Sequence, residues 1–97
     1  MTTYIVLGNF TDKGIGNIKE SPSRVKQLKD ILQAEGAKLI SYYMVMGRYD
    51  IVCIVEASNE ETMAKLSLLI GKRGNLRTET LAAFNEKQHA DIIAKIA

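Results

Sequence analysis

The order of strand-like and helix-like segments in these 97 residues predicts an α+β fold with the split βαβ topology: strand, helix, strand, strand, helix, strand and a last short helix. Three observations carry that expectation. Four segments are rich in β-branched and aromatic residues, two longer segments carry one apolar stripe each at helical spacing, and a glycine-led turn joins the middle two strands directly.

Tyr4 to Phe10 has strand composition, and Thr11 to Glu20, with two glycines and no helical period, reads as a ten-residue loop. Loops of that length are disproportionately functional. Ser21-Pro22 predicts a helix start, the serine oxygen capping an orphan N–H and proline taking the first helical position. Val25, Leu28, Ile31 and Leu32 form its apolar stripe, and Gly36 supplies the stop. Ala37 to Met46 and Tyr49 to Ala57 are strands that flank Gly47-Arg48, the pair favoured in a two-residue type II′ hairpin. Ser58 and Glu61 have capping-box spacing ahead of Met63, Leu66, Leu69 and Ile70, a second helix ending near Gly74. Leu76 to Phe84 is the fourth strand. Asn85 and Gln88 then cap a terminal helix with Ile92, Ile93 and Ile96 on its apolar face.

Right-handed crossovers place the strands in the spatial order fourth, first, third, second, a ferredoxin-like four-stranded antiparallel sheet with the helices on one face. The other face needs an explanation. In the third strand Ile51, Cys53, Val55 and Ala57 share one side, and Asp50, Val52, Ile54 and Glu56 the other, so both sides are apolar in the middle. The second strand divides into Leu39, Tyr43 and Val45 against Ile40, Tyr42, Met44 and Met46. A water-facing side alternates more cleanly, so a second copy of the chain is expected to cover it, giving an isologous homodimer of the dimeric α/β barrel type with a partly enclosed intersubunit cavity. Folding back of the terminal helix is the alternative cover, with only three isoleucines to offer.

Topology gathers a polar cluster at one edge of the sheet: Phe10, Lys19 and Ser21 around the first loop, Arg48, Tyr49 and Asp50 in the turn, Lys72 and Arg73 ending the second helix, and Arg77 and Glu79 two apart on the fourth strand. An apolar pocket with a few convergent charged and hydroxyl groups describes a site for a small anionic metabolite. The competing reading is an interchain ion-pair network of Asp50, Arg77 and Glu79 that fixes the dimer.

Composition removes several function classes. At 46% hydrophobic and 25% charged the chain makes one globular domain spanning 1-97, and a net charge of +2 gives no field that would draw nucleic acid. Its basic pairs, Lys72-Arg73 and Lys26 with Lys29, have no interleaved aromatics. No apolar run exceeds that from Ile51 to Val55, and Met1-Thr2-Thr3 lacks a basic, signal-like start, so the expected location is the cytoplasm with no membrane partner. One histidine and one cysteine make no metal set, and the chain calls for no cofactor. His89 has no acidic or nucleophilic neighbour, and Cys53 within its apolar run reads as a core residue rather than a nucleophile. Gly14-Ile15-Gly16-Asn17 lacks the third glycine of a dinucleotide fingerprint.

Met46-Gly47-Arg48-Tyr49-Asp50-Ile51-Val52 resembles the signature of the GYD domain family, at Gly47, Tyr49 and Asp50. Phe10 to Ile15 with Asn17 to Pro22 resembles that family's first loop and helix start, and Gly74 to Leu81 its last strand. The resemblance implies a dimeric α+β barrel of ferredoxin-like subunits and no established activity. The turn is also similar to one in the ligand-binding domain of leucine-responsive regulators, which bind amino acids at subunit contacts. Three functions follow as expectations: an accessory or metabolite-binding dimer, a cofactorless barrel enzyme using Tyr49, Asp50, Arg77 and Glu79 for proton transfer or oxygen chemistry, and a structural assembly module.

Overall fold

The computed structural model describes residues 1–97. Its elements are β1 (Thr2–Phe10), α1 (Asp12–Gly16), a 3-10 turn (Ile18–Glu20), α2 (Ser21–Ala34), β2 (Lys38–Met44), β3 (Ile51–Ala57), α3 (Glu60–Lys72), β4 (Leu76–Ala83) and α4 (Glu86–Ala94). The strands form one sheet in the order β2-β3-β1-β4 with every neighbour antiparallel, the order that right-handed crossovers require.

Pairing partners share a face in such a sheet, so the register states which side chains meet the helices. Val6 lies opposite Cys53 and Thr80, and Tyr4 opposite Val55 and Ala82. Tyr4, Val6, Cys53, Val55 and Ala57 lie beneath Leu28 and Leu32 of α2 and Met63 and Leu66 of α3 and make the core with them, Ile51 is buried beside it, and on β4 Thr80 is half-buried and Ala82 exposed. The stripe predicted for each helix is thus the one turned to the core, with Leu28, Leu32, Met63 and Leu66 buried and Val25, Ile31, Leu69 and Ile70 half-buried. Thr3, Ile5 and Leu7 with Glu56, Ile54 and Val52 occupy the opposite face, which no helix covers.

Five local expectations are corrected. The predicted loop from Thr11 holds α1 and the 3-10 turn instead, because the Thr11 hydroxyl caps the Gly14 N–H at 3.1 Å and starts a helix too short to show a period. Ser21 is the first helical residue rather than a cap: Glu20 precedes it at the cap position with no side-chain bond, since the 3-10 turn runs directly into α2. The β2–β3 connection is wider than a two-residue hairpin. The last ladder bond is Val45 N–H to the Asp50 carbonyl at 2.8 Å, and Gly47 sits at φ 121° within four open residues. A bulge between Leu39 and Ser41 shifts the phase of β2, so Leu39 joins Tyr42 on the helix face and leaves the side of Tyr43. Helix α3 is capped by Asn59, which accepts the Thr62 N–H at 2.9 Å, rather than by Ser58. The capping box of Asn85 and Gln88 forms as the sequence predicts.

Helix α4 does not fold back over the open face. It has no buried residue, and Ile92, Ile93 and Ile96 stay exposed. The radius of gyration, 14.7 Å, accordingly exceeds the about 12–13 Å of a compact chain this long.

Two predictions follow from the core. The Tyr4 hydroxyl is buried without a hydrogen-bond partner; Tyr4→Phe removes that desolvated group and should raise stability by about 1 kcal/mol in urea unfolding, whereas a loss of stability would reveal a partner for the hydroxyl. Burial pushes the Cys53 thiol up to about 11 from 9.0. A raised folded value favours the protonated native state, so this contribution is complete below pH 9 and fades between pH 9 and about 11. Cys53→Ala should flatten that decline, and a disulfide reagent should label the native thiol only at the rate of unfolding.

Candidate functional site

The chain brings its polar residues to the end of the sheet where β1 stops. Phe10 pairs with Leu76, Asn9 with Arg77, and the Asp50 N–H reaches the Gly8 carbonyl at 2.9 Å. One residue further the β1–β3 ladder has no backbone acceptor left, and the Asp50 carboxylate takes the Phe10 N–H at 3.0 Å. Asp50 is therefore a side-chain extension of the ladder, a half-buried group that fixes the turn against β1.

Helix α1 is docked onto the corner between α3 and β4. Thr11 N–H donates to the Asn75 carbonyl at 3.1 Å, the Thr11 hydroxyl donates to the Gly74 carbonyl, and Lys13 Nζ donates to the Arg73 carbonyl at 2.9 Å. Gly14 is required there, since a Cβ would lie 2.2 Å from the Asn75 oxygen. Arg24 secures the same segment from α2, donating to the Asn17 carbonyl at 2.9 Å and the Gly14 carbonyl at 3.1 Å.

The sheet divides the eight residues picked out from sequence into two groups. Arg77 and Glu79, opposite Asn9 and Leu7, project from the uncovered face, where Tyr49 Oη donates to Glu79 Oε1 at 2.8 Å. That hydrogen bond, then burial and the charge of Glu79, push the Tyr49 phenol above its ordinary value, while Arg48 pulls it down. Arg77 forms no ion pair within the chain, nor do Arg48 and Lys19, both exposed. Phe10 and Ser21 lie on the other side of the sheet, in a cleft of about 40 Å³ between α2, α3 and the strand ends.

Sequence reasoning brought Arg73 to this edge but left out Arg24, Tyr42 and Asn75, and all four line this cleft. A signal was available. Arg24 stands four residues before Leu28 and Arg73 three after Ile70, so each continues an apolar stripe with a charge. The phenol of Tyr42 is pushed upward by burial and by the Cys53 thiol, with the Ser21 hydroxyl and the Arg24 charge acting in the opposite direction. No group of His, Cys, Asp or Glu could hold a metal ion, and no helix is long and apolar enough to cross a membrane.

The family description of the GYD domain matches residues 4–93. The chain belongs to the GYD domain family. This GYD domain is 36% identical, over 99% of both chains, to a protein of Thermus thermophilus described as a glutamine synthetase and cystathionine beta-lyase binding protein. Its fold resembles a feast or famine regulatory protein of M. tuberculosis complexed with L-methionine, with TM-score 0.67 and 19% identity. That likeness covers 88% of this chain and 51% of the regulator, so the chain spans about half of the regulator's length. A crystal structure of a Thermus thermophilus protein is similar with TM-score 0.57 and 26% identity, over 88% of this chain and 95% of the other. The neighbours share the ferredoxin-like α+β arrangement.

Asp50 of the family signature has a structural task by this geometry. Asp50→Ala, which leaves the Phe10 N–H unpaired, should cost about 1–3 kcal/mol in chemical unfolding, and Asp50→Asn, which keeps an acceptor oxygen, should recover most of it. Equal losses in the two variants would mean that charge rather than the hydrogen bond is what matters.

Proposed function

We propose that the protein is a non-catalytic accessory homodimer, in which two sheets face one another around an intersubunit cavity and the assembly binds a small metabolite or a metabolic enzyme. The observation that carries this reading is the uncovered sheet face. Ile5, Leu7, Val52 and Ile54 lie together on it with no helix above them, while α4 holds Ile92 and Ile93 out in solvent and Ile96 follows, exposed, just past its end. An isolated helix of nine residues is marginal in water, so α4 also gains most from a second copy to pack on. Two copies joined through this face bury the apolar centres of β1 and β3 and leave Arg48, Tyr49, Arg77 and Glu79 around the cavity mouth.

The accessory role draws support from the Thermus thermophilus relative, which matches along its whole length and is described as binding two enzymes. A cofactorless enzyme needs titratable groups pushed in opposite directions at one site. Tyr42, Tyr49 and Cys53 are all pushed upward, so these three supply no such pair.

Light scattering on a sizing column should give twice 10.8 kDa or a multiple of that dimer. Ile54→Asp, which puts a charge at the centre of the open face, should yield a folded monomer by circular dichroism. A wild-type monomer at micromolar concentration removes the dimer. Co-elution with purified glutamine synthetase from the same source tests the accessory role separately, and a dimer that never co-elutes leaves only metabolite binding.

A further inference from the structure

The cleft between α2, α3 and the ends of β1 and β4 has a floor and a rim of opposite character. Leu28, Ile51, Ile70 and Leu76 line its apolar floor, and the same four residues line a second void of about 20 Å³ that continues toward Met63 and Cys53. Arg24 and Arg73 stand on the rim with Ser21 and Asn75. Neither arginine forms an ion pair. Arg24 spends two N–H groups on backbone carbonyls, and Arg73 bonds only the Gln27 side-chain oxygen. A guanidinium has five N–H donors, so both keep several free.

We propose that this cleft binds a small aliphatic carboxylate, its head between Arg24 and Arg73 and a short branched tail against Leu28, Ile51, Ile70 and Leu76. Two guanidinium groups without acidic partners favour an anion, and their planar forks match a carboxylate. The apolar floor selects against free inorganic phosphate, which has no apolar surface to bury. Size limits the tail, because about 40 Å³ admits only roughly three water-sized spheres beneath the rim. No carboxylate lines the cleft. An amino acid would therefore set its ammonium group beside two cations with no counter-charge, and a simple carboxylic acid is preferred.

The site is formed within one protomer and on the helix side of the sheet, so it stands apart from the dimer and from the cavity at the open face. Arg73 is the residue to test, since Arg24 also secures α1 and the segment up to Asn17.

The experiment is a titration of the protein followed through the methyl resonances of Leu28, Ile51, Ile70 and Leu76, with isovalerate as the probe. Saturable shifts of these methyls are expected, weakened about tenfold or more in Arg73→Gln, the loss typical of one charge-assisted contact. Neutral isovaleramide and leucine should each bind more weakly than isovalerate, and the Ile54→Asp protein should bind as the wild type does. Absence of saturable shifts at tens of millimolar isovalerate overturns the proposal. Equal binding of the amide would reduce the cleft to an unspecific apolar void, equal binding of phosphate to a bare anion site, and equal binding of leucine would refute the preference for a simple acid; each outcome rejects the assignment.

Discussion

A four-stranded sheet has two faces, and this chain has helices for only one. That imbalance governs the rest of the molecule. Tyr4, Val6, Cys53 and Val55 sit beneath α2 and α3, whereas Ile5, Leu7, Val52 and Ile54, one residue out of phase with them, are equally apolar and uncovered. Because strand side chains alternate, burying one set necessarily displays the other. Charge on the open face stays at its margins, with Glu56 facing Lys38 at one end and Arg77 and Glu79 at the other. The arrangement suits association through the centre with polar groups kept at the rim.

The end of the sheet at Phe10 is built by bonds that regular secondary structure cannot supply. Asp50 replaces a missing ladder acceptor, Thr11 caps a five-residue helix and bridges to Gly74, and Gly14 permits α1 to touch the Asn75 backbone. These contacts tie together residues about forty and sixty positions apart, so the turn, the first loop and the start of β4 move as one unit. Both polar groups depend on this unit: the cluster of Tyr49 and Glu79 on the open side, and the arginine-rimmed cleft on the helix side. The signature Gly-Arg-Tyr-Asp is in this light partly a piece of architecture, its aspartate locking β3 to β1 and its tyrosine reaching β4.

Much of the candidate site was visible in the sequence, but its division was not. Phe10, Ser21, Asp50, Arg77 and Glu79 do gather at one edge, as hairpin and crossover topology require. Which side of the sheet each occupies depends on register, and Ser21 ends up across the sheet from Arg77. Arg24 escaped notice because charges on helices are usually solvated; only the packing of α2 and α3 over the strand ends brings it to one rim with Arg73.

Periodicity and composition alone determined the element order, the strand order, the two helix stripes, the box at Asn85 and the excess of apolar surface on β3. Each of these depends on the spacing of residue types along the chain, which is fully present in the sequence. Tertiary structure decided the bulge at Ile40, the wide turn around Gly47, the short helix after Thr11, the transfer of a cap from Ser58 to Asn59 and the outward course of α4. Those depend on where a backbone group finds its partner in space, as the Phe10 N–H finds Asp50. A local pattern cannot express a bond whose acceptor arrives from another strand.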